Sequence, residues 1–159
     1  MSSDSNVITW MHGKIYKRQF LVEKNLRFRE DLRLNEDAYF NMVAMHATNN
    51  KATIDEPLYI WRDYKNSVTR RGVRRDYFEK SYYDYIHGQV EALKRIYEIN
   101  GDIYDSLVSN ALKNIYYHYM QARYYGFDEE CIDEAISSLK DKVWMKEWLN
   151  NSSNWVYVV

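Results

Sequence analysis

The sequence predicts an α+β fold that is mostly α, with a small mixed α/β segment first and an antiparallel helical bundle after it. Three observations predict this. Apolar residues recur at three-to-four spacing from Phe78 to Leu139. Short runs of strand-forming residues lie before that stretch, at Val7–Trp10, Lys14–Lys17, Ala52–Ile54 and Leu58–Arg62. One proline and five glycines in 159 residues favour long helices with few turns.

Residues 7–18 read as extended, with Gly13 permitting a turn or a close backbone approach. Lys17 to Asn25 reads as a short helix with Phe20 and Leu21 inward, and Arg27-Phe28 as a short extended piece. At Asn35 the pattern changes. Asn35 is a candidate N-cap, and Glu36 and Asp37 fill the first turn, where negative charge suits the helix dipole. Phe40, Val43 or Ala44, and Ala47 follow at helical spacing, which predicts a helix over 36–48. Asn49-Asn50 stops it. The strand predicted around Pro57 is an edge strand or a bulged one, because proline cannot donate to a ladder.

Beyond Arg75, Phe78, Tyr82, Tyr85 or Ile86, Gln89 or Val90, Leu93, and Ile96 or Tyr97 mark a long helix that ends at Asn100-Gly101. Tyr104, Leu107 or Val108, Ala111 or Leu112, Ile115, Tyr119 and Ala122 mark a second, closed by Gly126. Asp128 is a candidate cap for a third, carrying Ile132, Ala135, Ile136 and Leu139, and Trp144 and Trp148 suggest a short fourth. Two long helices with short links pack antiparallel. A soft boundary near Arg71-Gly72 divides a segment at 7–71 from a bundle at 72–149, with a tail at 150–159.

Composition narrows the function. Hydrophobic residues make up 46% of the chain, and no apolar run reaches the about 20 residues of a membrane span. The polar lead Met1 to Asn6 lacks the basic and apolar regions of a signal peptide, so a cytoplasmic protein is expected. A lone cysteine, Cys131, excludes an internal disulfide and a multi-cysteine zinc site. The four histidines show no metal-ligand spacing. Net charge is −1, unevenly spread: residues 1–75 hold 14 Lys and Arg against 9 Asp and Glu, and residues 76–159 hold 8 against 14. A positive first half suits a phosphate-bearing ligand. The basic run Arg70–Arg75 could attract nucleic acid, but no recognition-helix or RNA-binding signature accompanies it, so no nucleic-acid partner is expected.

The candidate chemistry lies in the first half. Glu36-Asp37 is an ordinary first-turn pair or a general base with a neighbour; two adjacent carboxylates raise one another's pKa. His12, Lys14 and Arg18 offer donors to phosphate or carboxylate oxygens. Arg62 with Ser67 and Thr69 could clamp a diphosphate. His87 and Asp84, three residues apart on one helix face, could form a dyad, a pattern that is more often a structural hydrogen bond. His118 lies in an aromatic helix and reads as packing.

Four segments in order carry a resemblance. Trp10 to Leu21 reads W-x-H-G-K-x-Y-x-R-x-x-L. Glu36 to Phe40 reads E-D-x-x-F. Pro57 to Arg62 reads P-L-Y-x-[WY]-R, and Ser67 and Thr69 complete a Ser-x-[ST] loop. This set, over residues 8–71, resembles the C-terminal, acceptor-side part of the catalytic domain of family 2 glycosyltransferases, which have the GT-A fold. The resemblance implies a partial GT-A-like half and inverting sugar transfer from a nucleotide-sugar to a glycan or other hydroxyl acceptor. It implies that Asp37 is the catalytic base, that Glu36 orients Asp37 or the acceptor, and that His12, Lys14, Arg62, Ser67 and Thr69 line the acceptor or diphosphate side. The family's Asp-x-Asp motif is absent from this sequence. The chain is therefore expected to be the acceptor half, with no cofactor of its own, a divalent metal (Mn or Mg) if a nucleotide-binding half completes it, and no activity alone. A homo-oligomer or the missing half is the expected protein partner. The competing expectation is a non-catalytic helical interaction module built on the Tyr-rich bundle.

Overall fold

The computed structural model describes residues 11–60, 62, 75–127, 130–142, 145, 146 and 150, with the backbone alone at 75–78, 80, 131 and 132. Among the described residues five helices are bounded: α1 (Arg18–Glu23), α2 (Glu36–His46), α3 (Arg75–Asn100), α4 (Asp105–Tyr125) and α5 (Glu130–Lys140).

The helix ends follow local chemistry. Asn25 takes a left-handed conformation (φ 48°) just past α1, and the N–H of Leu26 closes back onto the carbonyl of Leu21 at 2.8 Å. Gly101 (φ 70°) and Gly126 (φ 64°) end α3 and α4 in the same left-handed region, which glycine enters without steric cost. Their N–H groups reach Tyr97 O at 2.8 Å and Arg123 O at 3.0 Å.

The long helix α3 is the spine, packing against α2, α4 and α5. Its Ile86, Val90, Leu93 and Ile96 recur at spacings of three and four and are fully buried. Each such side chain stabilises the fold by about 1.5–3 kcal/mol through area removed from water. Val108, Ala111 and Ile115 of α4, and Ala135 and Leu139 of α5, complete that side of the core. On the other side α2 is enclosed almost all round: every residue from Ala38 to Ala44 is buried. These residues form one hydrophobic cluster.

An ionic chain ties the loop before α2 to the spine. Arg29 forms a two-pronged bond with Asp31 (2.9 and 2.7 Å) and donates a third to Glu91 (2.7 Å). Glu91 also accepts from Lys94 at 2.7 Å, and Lys94 donates to Ser138 of α5 at 2.8 Å. The guanidinium beside Asp31 holds its carboxyl down at about 2. Burial alone would raise Glu91; hydrogen bonds from Lys94 and Arg29 outweigh it and hold the group below the ordinary carboxylate range.

The expected mixed α/β segment is not there: the described residues are helical and contain no strand or sheet. Residues 11–17 and 47–60 are irregular, and all of 51–60 is exposed. Ile54, Leu58 and Ile60 are 61, 75 and 83% exposed. The backbone bonds made there are local, as in Leu58 N–H to Glu56 O at 2.9 Å. The physical reason is that strand propensity measures fit to a pleated, half-buried surface. A strand satisfies its backbone only through a neighbour, and no described segment supplies one. The candidate cap Asp128, both Trp144 and Trp148, the segment 7–10 and the tail 151–159 lie outside the described residues. So do the residues of the Arg71-Gly72 boundary.

Candidate functional site

The acidic pair sits where it was expected, in the first turn of α2, and both residues are half-buried. The cap differs. Asn35 makes no side-chain cap bond and is itself left-handed (φ 62°). Its carbonyl accepts the N–H of Tyr39 at 3.1 Å, and its Nδ2 donates to Ser81 O at 3.2 Å. Asp37 Oδ1 accepts the N–H of Ala38 at 2.7 Å. Neither Glu36 nor Asp37 forms an ion pair among the described residues.

Asp37, Phe40 and Asn41 share one face of α2, at spacings of three and four. Tyr16 closes over that face. Its hydroxyl donates to Asn41 Oδ1, and its ring meets Phe40 edge-on at 5.6 Å and 90°. Phe28 stacks on Phe40 at 4.3 Å and 9°. Burial pushes the Tyr16 hydroxyl above its ordinary pKa, so it stays a donor. The Nδ2 of Asn41 is buried and has no hydrogen-bond partner among the described residues. An unpaired buried donor costs about 1–3 kcal/mol.

Lys14 lies two residues before Tyr16 on the same irregular segment, half-buried, with its ammonium lowered by desolvation. His12 stacks on Tyr59 at 5.4 Å and 16°, and its Nδ1 lies 3.1 Å from the Tyr59 hydroxyl. That contact joins the Trp10–Leu21 segment to the Pro57–Arg62 segment. Arg18 is exposed at the start of α1, and Arg62 is exposed; neither pairs with α2 among the described residues. Ser67 and Thr69 lie outside the described residues. The structure thus brings the His12 segment beside Tyr59, and Tyr16 against the helix one turn beyond Asp37.

Three side chains in this arrangement escaped the sequence reading. Asn41 is the one uncharged polar residue inside an otherwise apolar run from Ala38 to Met45, which was a usable signal. Tyr16 and Tyr59 lay inside the quoted motifs but were hidden among 16 tyrosines. His87 and His118, on the long helices, serve packing. His118 stacks on Tyr85 at 3.9 Å, its Nδ1 lies 2.8 Å from Asn114 O, and burial lowers its pKa. His87 stacks on Tyr83, and its Nε2 reaches Asp31 Oδ2 at 3.4 Å. Asp84 Oδ2 instead accepts two backbone N–H groups.

A cavity of 170 Å³ opens between the loop at 25–29 and the helices α2 and α3. Arg27, Arg29 and Arg95 line it opposite Phe28, Tyr39 and Phe40, and neither acid of the pair reaches it. Two of its guanidiniums are engaged: Arg29 as above, and Arg95 with Glu98 at 3.0 Å and Lys24 O at 3.1 Å. Among the described residues no group of three or more His, Cys, Asp or Glu could hold a metal ion, and no helix is long and apolar enough to cross a membrane.

Comparison with known proteins supports a glycosyltransferase relationship over part of the chain. A stretch of 66 residues, 42% of the chain, is 35% identical to the uncharacterized glycosyltransferase EpsJ of Bacillus subtilis (strain 168). The chain covers 19% of that relative's length. No protein-family profile matches the chain. No solved structure matches it either.

Proposed function

We propose that this chain is the acceptor-side part of an inverting, family 2-type glycosyltransferase, with Asp37 as its general base. The observation that carries the proposal is the 66-residue match to a bacterial glycosyltransferase. The order of motifs from Trp10 to Thr69 and the acidic pair in the first turn of α2 support it. In this reading the Asp37 carboxylate takes the proton of an acceptor hydroxyl as that oxygen attacks the anomeric carbon of a nucleotide-activated sugar. The new C–O bond forms as the bond to the diphosphate breaks, and the diphosphate leaves with the electron pair. Configuration inverts. Glu36 orients the base or the acceptor. His12, Lys14, Arg18, Arg62, Ser67 and Thr69 supply donors to the acceptor and to the developing negative charge. A divalent metal (Mn or Mg) would come with a nucleotide-binding half and offset diphosphate charge.

Thermal unfolding with panels of glycan acceptors and of nucleotide-sugars, each with Mn or Mg, tests this reading. An acceptor at about 100-fold its Kd adds about 2.7 kcal/mol of apparent stability. That shift is expected for the wild-type chain and is expected to shrink in Asp37→Asn. Nucleotide-sugars without the donor half are expected to give none. If no acceptor moves the transition, the reading fails.

One observation favours a second reading, a non-catalytic interaction module. Tyr116, Tyr117, Met120, Tyr124 and Tyr125 are exposed on α4 (60, 60, 43, 82 and 51%). Tyrosines that join a large ring to a polar tip are enriched at protein interfaces. Sedimentation over a concentration series, comparing wild type with Tyr117→Ser/Tyr124→Ser, reads this directly. A monomer at all concentrations in both removes self-association through this face.

A further inference from the structure

We infer that Asp84, in the middle of α3, is a positioning residue for the Glu36-Asp37 pair. Its functional meaning rests on the acceptor-side reading above; its structural content does not.

The stretch before α2 is laid along one face of α3, contact by contact. Leu32 packs against Gly88, where an added Cβ would come within 3.3 Å of Leu32 Cδ1. The N–H groups of Arg33 and Leu34 both donate to Asp84 Oδ2, at 3.1 and 3.0 Å. Asn35 Nδ2 donates to Ser81 O at 3.2 Å. The order 32, 33–34, 35 therefore runs against 88, 84, 81. Those three positions on α3 are spaced by four and three residues, so they form one stripe. The stripe guides the chain from the core to the left-handed turn at Asn35, from which α2 starts.

Asp84 is the polar centre of this arrangement and is fully buried. Burying a carboxylate is expensive unless hydrogen bonds offset it. An apolar side chain of similar size would serve the core at lower cost, so the carboxylate is best explained by what it holds. It gathers two successive backbone donors that no helix or sheet satisfies. Arg33 and Leu34 lie two to four residues before Glu36 and Asp37. Any slack at 33–34 therefore passes directly into the direction of the two carboxylates, and displacements of about 1 Å at a catalytic group are costly. In this reading the long helix of the bundle orients the acidic pair.

The test is residue-resolved amide exchange on the whole chain, without ligand, for wild type, Asp84→Ala, Asp84→Asn and Asn35→Gly. In Asp84→Ala, protection at Arg33 and Leu34 is expected to fall at least about tenfold, the loss of roughly one net hydrogen bond. The Glu36–Ala38 amide resonances are expected to shift or broaden. Protection at Leu93 and Ile96 is expected to keep its wild-type value. Asp84→Asn keeps an acceptor oxygen and is expected to restore part of the protection. Asn35→Gly keeps the left-handed turn but removes the bond to Ser81, and is expected to loosen 33–37 by a smaller factor. Should Asp84→Ala fail to fold, the Asn and Gly variants carry the comparison. Unchanged exchange at Arg33 and Leu34, or an equal loss throughout α3 and α4, overturns the proposal, since general destabilisation gives the second pattern. A chain that passes this test yet binds no acceptor would overturn the proposed function and leave Asp84's positioning role standing.

Discussion

The two halves of this molecule handle their apolar residues in opposite ways. In α3, Ile86, Val90, Leu93 and Ile96 are fully buried. In the segment 54–60, Ile54, Leu58 and Ile60 are mostly exposed. Both stretches are rich in large side chains. The difference lies in how each secondary structure closes its hydrogen bonds. A helix satisfies its backbone within itself and then needs only one matching face. A strand needs a second strand, and the described residues offer none. Helix α2 belongs with the first behaviour although it lies in the first half, because α3 covers it. The acidic pair thus sits where the helices packed on α3 meet a segment that is exposed among the described residues.

Equivalent deletions on the two sides sharpen this contrast most. Leu93→Ala is expected to cost about 2–5 kcal/mol in urea unfolding, and to loosen α2 together with α3 because they share a core. A cost below 1 kcal/mol would place Leu93 outside the core. Cutting the ionic chain is next. Arg29→Ala leaves half-buried Glu91 with Lys94 alone and removes the two-pronged partner of exposed Asp31, and about 1 kcal/mol is expected. Glu91→Gln, which keeps size and an acceptor, should cost less.

Acid is expected to act in two windows. His46 and His118 are both held below the ordinary histidine value, first of all by burial. The unfolded chain therefore binds their protons more readily. Stability is full above about pH 6.5 and declines as pH falls through it. Asp31, at about 2, and Glu91, lowered, contribute stability above the unfolded carboxylate range. That contribution is lost as pH falls below about 4. The Arg29→Ala variant should flatten the lower window and leave the upper one; a profile identical to wild type would contradict the ionic chain. Smallest of all, Leu58→Ser and Ile60→Ser should stay within about 0.5 kcal/mol of wild type, as exposed positions do. A larger loss would mean that this segment is covered in solution.

The helices were legible because their signals are local. Periodicity located α3, α4 and α5, and Gly101 and Gly126 marked two ends. The strand expectation failed because alternating β-type residues specify a need for a neighbour and say nothing of whether one is present. Asn35 was correctly placed as the N-cap residue of α2. What its sequence position did not show is that its amide reaches Ser81, 46 residues away, rather than its own helix. Asp84 showed itself in the sequence only as a neighbour of His87. Its bonds to Arg33 and Leu34 cross 50 residues and leave no local pattern. The acidic pair was correctly set in the first turn of a helix, while its company of Tyr16 and Asn41 arises from tertiary packing.

The most direct measurement is a glycan-acceptor titration followed by amide chemical shifts on the whole chain. The account expects perturbations to concentrate at Lys14–Tyr16, at Glu36–Asn41 and at Tyr59, and to weaken in Asp37→Asn. Shifts confined to Tyr116–Tyr125, or no shifts with any acceptor, would contradict it.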